Sequence, residues 1–202
     1  MPRPPPRLST PNQVRIIGGT WRRRLLHFPP AAGLRPTPDR VRETLFNWLG
    51  QDLTGLSTLD PFAGSGALSF EALSRGAALA VAVDAGAPAV AGLRENAAAL
   101  GATGLEAHRA DALAFLHRET RGFDLIFVDP PFHESWLPRL WPLLAARLNP
   151  GGWLYVEQGQ AVQPPPGWET FRHQRAGQVH YHLLRRGAGT AGEEDVQRKR
   201  LP

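Results

Sequence analysis

Cysteine is absent from the 202-residue chain, which excludes disulfides and thiolate metal sites and gives no reason to expect an oxidising compartment. No stretch approaches the roughly 18 uninterrupted apolar residues of a membrane span. The N-terminus offers Pro and Arg with no apolar h-region, so no signal peptide is expected either. These absences predict a cytoplasmic protein with no membrane partner. Internal repeats are lacking, and the length suits one sizeable core plus a small appendage. Lysine occurs once against 22 Arg, a bias of the coding sequence rather than a sign of function.

Acidic residues are scarce in one region only. Residues 1–45 carry nine Arg against Asp39 and Glu43, a net of +7, whereas the remaining residues carry 14 basic and 16 acidic groups, a net of −2, giving +5 overall. Basic character therefore belongs to an N-terminal arm. Such an arm attracts phosphate backbones by counterion release, whatever their sequence, and does so less at high salt. Trp21 stands beside the run Arg22-Arg23-Arg24 and offers a stacking surface for an unpaired base. Arg15, Trp21, Arg22, Arg23 and Arg24 are thus candidate RNA contacts, with ordinary solvated charge as the competing reading.

Two segments carry the chemistry. The apolar run Phe123–Val128 reads as a buried strand that delivers Asp129-Pro130-Pro131-Phe132 to the mouth of a sheet. Consecutive prolines hold the backbone extended, because each ring fixes φ and restricts the residue before it. The Asp129 carboxylate and a backbone carbonyl then point the same way, fit to grip a planar exocyclic amine while Phe132 stacks on the ring; an ordinary strand-ending turn is the competing reading. Upstream, Leu59-Asp60-Pro61-Phe62-Ala63-Gly64-Ser65-Gly66 runs into a helical pattern from Ala67, the strand–glycine loop–helix unit of a nucleotide-binding fold. The dinucleotide fingerprint is incomplete: Ser69 stands where its third glycine belongs, no Lys or Arg lies in the loop, and Asp60 would repel a pyrophosphate. A ligand with a sulfonium and an ammonium but no phosphate is attracted instead. S-adenosylmethionine is such a ligand. Asp84 ends the next strand, where a ribose-binding carboxylate is placed, and Asp111 opens a further helix as a cap and candidate adenine contact.

The chain resembles the small-subunit (16S) ribosomal RNA guanine-N2 methyltransferases, within the Rossmann-like S-adenosylmethionine-dependent methyltransferases. The likeness runs from about Val14 to Leu184 and rests on Arg15–Arg22, Leu34–Leu49, Phe62–Gly66 and Asp129–Phe132. It implies methionine-side contacts at Asp60, Phe62, Ala63, Gly64, Ser65 and Gly66, and a ribose ligand at Asp84. It also implies an adenine contact at Asp111 and Ala112, and a base clamp at Asp129, Pro130, Pro131 and Phe132. Arg35, Thr37 and Arg42 are implied to close over the cofactor carboxylate. Family members often carry Glu two positions before Asp84, where this chain has Ala82, leaving the ribose to Asp84 alone. The implied partner is 16S rRNA in the small ribosomal subunit or an assembly intermediate, met by a monomer without a metal. Guanine is favoured over adenine because a carboxylate accepts both its ring N–H and its amine. The Asp-Pro-Pro loop alone leaves open an N6-adenine methyltransferase on RNA or DNA. A non-catalytic RNA-binding assembly factor and an NAD-type dehydrogenase stay open behind it, the latter weakened by Ser69 and Asp60.

The expected fold is α/β: a doubly wound, mostly parallel seven-stranded methyltransferase sheet with an antiparallel C-terminal hairpin, plus a small N-terminal hairpin and helix. Residues 1–12 read as a disordered Pro-rich arm, 13–50 as an RNA-binding extension, 51–186 as the methyltransferase domain and 187–202 as a disordered tail. Gly18-Gly19 is expected to form a two-residue hairpin turn. Thr37 is expected to cap a helix with Pro38 at its first position. His180 and His182 share a strand face with no third ligand in view, so an edge role is expected.

Overall fold

The computed structural model describes residues 12–29, 37–131 and 135–187; Arg35, Phe132 and most of the two expected disordered termini lie outside them. In chain order the elements are β1 (Gln13–Arg15), β2 (Leu25–His27), α1 (Asp39–Trp48), β3 (Ser57–Asp60), α2 (Ala67–Ser74), β4 (Leu79–Asp84) and α3 (Ala87–Leu100). There follow β5 (Leu105–Arg109), α4 (Ala112–Arg118), β6 (Phe123–Val128), α5 (Leu137–Arg147), β7 (Leu148–Gln158), β8 (Trp168–Ala176) and β9 (Val179–Arg186).

Alternation of strand and helix forces a covered parallel sheet. Seven strands are ordered β5-β4-β3-β6-β7-β9-β8, with β9 antiparallel to both β7 and β8. The chain starts in the middle at β3, builds outward through β4 and β5, and returns to lay β6 on the other side of β3. That reversal opens a crevice at the carboxyl ends of β3 and β6, where ligands bind in such sheets. Strand residues alternate between two cores. Ala80, Ala82, Leu125, Phe127, Tyr155 and Leu183 face α1 and α2, while Val81, Val83, Ile126, Val128, Leu154 and Val156 face α4 and α5. The expected fold is the observed one.

Two local expectations are corrected. Gly18-Gly19 is not a two-residue turn: β1 and β2 pair only from Gln13↔His27 to Arg15↔Leu25, and the chain between them is a longer loop. Ile16 N and Arg23 N still bond across the hairpin, to the Arg24 and Ile16 carbonyls at 2.9 and 2.8 Å, but the amides nearer its tip are drawn to α2. Ile17 N and Gly18 N each donate to the Glu71 carboxylate at 2.8 Å, Thr20 N donates to the Ser74 carbonyl at 2.7 Å, and Trp21 N donates to Ser74 Oγ at 2.9 Å. Gly19 sits at φ 72° so close to α2 that a Cβ there would lie 1.8 Å from the Ser74 carbonyl oxygen. The second correction concerns α1, which begins at Asp39 with Pro38 as its cap and no side-chain capping bond. The Pro38 carbonyl accepts from Val41 N and Arg42 N at 2.9 and 3.1 Å, and Thr37 is left outside the helix.

Candidate functional site

Four neighbouring parallel strands end in an acid: Asp60 on β3, Asp84 on β4, and Asp129 and Glu157 just beyond Val128 and within β7. Pairing of Thr58↔Leu125, Leu59↔Ile126 and Val128↔Val156 brings the ends of β3, β6 and β7 to one edge of the sheet. Neighbouring strands lie about 4.8 Å apart, so the glycine loop and the Asp129-Pro130 corner leave the sheet side by side.

The glycine loop is held from behind. Ala63 N donates to the Val83 carbonyl and Gly64 N to Asp84 Oδ2, both at 2.9 Å, while Asp84 Oδ1 accepts from Gly86 N at 2.7 Å. Asp84 thereby ties the loop after β3 to the turn after β4, and Gly86, not Asp84, caps α3. Gly66 has φ 76°, and a Cβ there would approach Leu93 Cδ2 to 2.4 Å and the Phe70 ring to 2.8 Å. Only glycine fits. Gly66 caps α2 without a side chain of its own, and Ala67 N, the first amide of the helix, donates to Ser65 Oγ at 3.4 Å.

Asp60 is 3% exposed and accepts from Ser69 Oγ at 3.0 Å. Burial pushes its carboxyl up to about 7, against the opposing pull of its bonds to Ser69 and the Phe62 amide, with Asp84 and Glu157 adding like charge. Ser69, noted in the sequence only as a missing glycine, supplies this hydroxyl. Phe62 is half-buried against the edge of Trp136, ring centroids 5.0 Å apart, and Ala63 and Ser65 are buried in the loop. Asp111 caps α4, accepting from Ala114 N at 2.9 Å, and Ala112 is buried behind it. The capping role is therefore the one observed.

Burial, then the charges of Glu157 and Asp60, raise the Asp129 carboxyl well above the usual range, while the Thr37 side chain opposes the rise. Pro130 is buried and Pro131 exposed. Arg42 is fully buried and fully engaged: Nε donates to the Thr37 carbonyl at 3.1 Å, one terminal nitrogen to Glu71 at 3.2 Å, and the other to the Arg15 carbonyl at 2.8 Å and Asp39 at 2.6 Å. It holds Thr37 in place rather than reaching into the crevice itself. On the arm, Arg22 and Arg23 are exposed, Arg24 donates to the Ala99 carbonyl at 3.1 Å, Arg15 pairs with Asp39 at 2.9 Å, and Trp21 packs half-buried on the core.

Sequence reasoning missed Glu157 and Glu71. Glu157 had a signal, since Val156-Glu157 repeats the strand-ending Val-acid pattern of Val83-Asp84 and Val128-Asp129. Glu71 had none. The expectation that His180 and His182 lack a third neighbour is also corrected: β8 places His173 opposite His182 with rings stacked 4.2 Å apart, and His173 Nε2 lies 2.9 Å from His180 Nδ1. Among the described residues no group of three or more His, Cys, Asp or Glu is arranged to hold a metal ion.

A doubly wound sheet in this strand order, with a glycine loop and an Asp-Pro-Pro corner at adjoining strand ends, defines the class of Rossmann-like methyltransferases. A family model described as "Conserved hypothetical protein 95" matches residues 14–185. The chain is 42% identical over 200 residues to Ribosomal RNA small subunit methyltransferase D of Escherichia coli K12, covering 95% of this chain and 98% of that one. The protein of the same name from Haemophilus influenzae is 37% identical over 188 residues, covering 88% and 97%. Among solved structures, a putative methyltransferase, yhhF, from Escherichia coli aligns with a TM-score of 0.79 at 42% identity, covering 88% of this chain and all of that one. The putative methylase HI0767 from Haemophilus influenzae aligns with a TM-score of 0.73 at 35% identity, covering 86% and 98%. The chain belongs to this family of small-subunit ribosomal RNA methyltransferases.

Proposed function

We propose that the protein transfers a methyl group from S-adenosylmethionine to the exocyclic N2 amine of a guanine in 16S ribosomal RNA, acting in the cytoplasm as a monomer on the small subunit or an assembly intermediate. The observation that carries this reading is the parallel pairing of β3 with β6, which sets a loop fit for the cofactor beside a corner fit for an amine. The name printed for the relatives supports the RNA substrate.

The residues present fit the cofactor. Gly66, at φ 76°, turns the loop tightly into α2, and Asp60 offers a buried carboxylate to a cationic methionine moiety. Asp84 and Asp111 stand at the ends of β4 and β5 for ribose and adenine. When bound, S-adenosylmethionine supplies an electrophilic methyl group on a sulfonium. Phe62, Ala63, Gly64 and Ser65 line its methionine side in this reading, with Thr37 and Arg35 closing from the N-terminal side and Arg42 bracing Thr37. No metal has a part in it.

A guanine amine is a poor nucleophile because its lone pair is delocalised into the ring. Hydrogen bonds from the NH₂ group to the Asp129 carboxylate and the Pro130 carbonyl pull that lone pair toward tetrahedral geometry and aim it at the methyl group. Phe132, outside the described residues, replaces the stacking partner that the flipped base loses. Positioning of two reactants supplies on the order of 7 to 11 kcal/mol, enough to make fixed dipoles and geometry the main source of acceleration.

Labelled S-adenosylmethionine offered with naked RNA, assembled small subunits and DNA, followed by identification of the modified nucleoside, tests this directly. N2-methylguanine on the subunits is the expected product, and N6-methyladenine would overturn the substrate assignment. Asp129→Ala is expected to keep cofactor affinity while turnover falls at least about a hundredfold, as for loss of one preorganised group. Near-normal turnover would mean the clamp lies elsewhere.

A further inference from the structure

Two carboxylates end adjacent parallel strands behind the base corner. Val128 pairs with Val156, so Asp129 and Glu157 leave the sheet as neighbours. Glu157 is 2% exposed, its Oε1 accepts from the Tyr155 hydroxyl at 2.8 Å, and the Thr37 side chain acts on both Glu157 and Asp129, opposing the rise of each. A hydroxyl has one proton to donate, so Thr37 serves one carboxylate at a time. Two acids this close, Glu157 buried and Asp129 half-buried, do not both ionise readily; the pair titrates as a unit and keeps a proton. Burial raises both carboxyls, and the charge of Glu157 raises Asp129 further. The facing groups reinforce this. Asp60 on β3 is a third acid, and Tyr155 on β7 and Tyr181 on β9 are phenols. Among the described residues the cation facing the pair is Arg42 on α1, already shared with Glu71 and Asp39.

We propose that Asp129 and Glu157 form a carboxylate pair holding one proton, with the Thr37 hydroxyl between them, and that this pair receives the proton released when the exocyclic amine is methylated. The proposal rests on the methyl-transfer reading above. The amine lone pair forms the new N–C bond, the C–S electron pair leaves with sulfur, and one N–H proton of the resulting ammonium passes to ionised Asp129 while the first proton stays on Glu157. The pair is then neutral with two protons, and one returns to water as the product leaves. Glu157 touches no reacting atom. It is a positioning residue: by holding the pair's first proton it leaves Asp129 ionised toward the base, and the desolvation that raises Asp129 makes it basic enough to take the second.

Glu157→Gln keeps the length of the side chain and an acceptor for Tyr155. Its kcat is expected to fall roughly tenfold, part of what positioned proton transfer supplies, with KM for S-adenosylmethionine unchanged. The basic limb of its pH–kcat profile, set in the wild type by loss of the pair's shared proton, should move to higher pH, because the variant has no carboxyl proton there to lose. A purely structural role would lower stability without moving that limb. A readout independent of turnover is the infrared band of protonated carboxyl groups at neutral pH in the ligand-free protein, which should lose the intensity of one group in Glu157→Gln. Should that variant fail to fold, Thr37→Val carries the same two readouts, and Thr37→Ser should restore the wild-type limb. An unmoved basic limb with an unchanged carboxyl band overturns the pair. Failure of the wild type to methylate any RNA would instead sink the methyl-transfer reading and the proton's proposed source, while the infrared comparison still decides whether the pair exists.

Discussion

Asp60 shows how one buried side chain sets a pH dependence. Its carboxyl is pushed up to about 7 by burial, from an ordinary value of 3.8. A raised acid binds its proton more tightly in the folded than in the unfolded state, so between about pH 4 and 7 its contribution lowers stability as pH rises. A cation placed beside it reverses the balance by favouring the ionised form. Affinity for S-adenosylmethionine is therefore expected to rise from about pH 6 to 8, with release of up to one proton near neutrality, measurable by titration calorimetry in buffers of different ionisation enthalpy. Asp60→Asn should bind more weakly and lose that proton release; a pH-independent wild type would remove Asp60 from the methionine side. At this scale the sequence was legible where an acid follows an apolar strand, as at Asp60, Asp84 and Asp129. It was less so at Arg42, whose donors go to Thr37, Glu71, Arg15 and Asp39 on other parts of the chain. Spacing along a helix says which face a residue takes, but not which distant carbonyl waits there.

The element that binds the N-terminal segment to the sheet is α2. Glu71 is fully buried on it and collects five bonds: Ile17 N and Gly18 N from the hairpin loop, one from Arg42 on α1, and two from Arg75 one turn on. Its charge is compensated on both sides, so the carboxylate is tolerated where an unpaired one would not be. Removing it leaves Arg75 in the interior without its carboxylate and Arg42 with Asp39 alone. Glu71→Ala is expected to cost about 3 to 5 kcal/mol, read from the midpoint of denaturant unfolding at unchanged slope. Hydrogen exchange at Ile17 and Gly18 should quicken as well. A loss under about 1 kcal/mol would mean the hairpin stands without this knot. Here the sequence misled in an instructive way. Gly18-Gly19 between two apolar runs is a good hairpin turn by local rules, yet the same glycines allow the backbone to touch α2, and Ser74 and Glu71 draw its amides away from the hairpin. The strands of the main sheet were legible because burial on both faces leaves nearly continuous apolar runs, as in Leu79–Val83 and Phe123–Val128.

Across the whole molecule, charge and chemistry sit on connected but distinct parts. Val14, Ile16 and Leu26 of the hairpin share a core with Val41, Leu45 and Phe46 of α1 and with Phe127 and Tyr155 of the sheet, so the basic arm is fixed to the scaffold that carries the site. In the function proposed above, an arm held this way would fix the register of an RNA on the protein without reading its sequence, because phosphate contacts position while base contacts specify. All four arginines are exposed, but Arg15 and Arg24 already have protein partners, whereas among the described residues no side-chain partner is seen for Arg22 or Arg23. The latter pair therefore carries the electrostatic load that these residues add. Each contact with a single-stranded phosphate contributes about 0.7 to the slope of log affinity against log salt. Arg22→Ala combined with Arg23→Ala should make that slope shallower by roughly 1.4 for small-subunit RNA, and weaken binding most at low salt. Cofactor affinity should be untouched, since neither side chain belongs to the glycine loop or the Asp129 corner. Filter binding or fluorescence anisotropy over a salt series measures the slope. If the double variant keeps the wild-type slope, the RNA does not run along this loop, and another face of the molecule must carry the backbone.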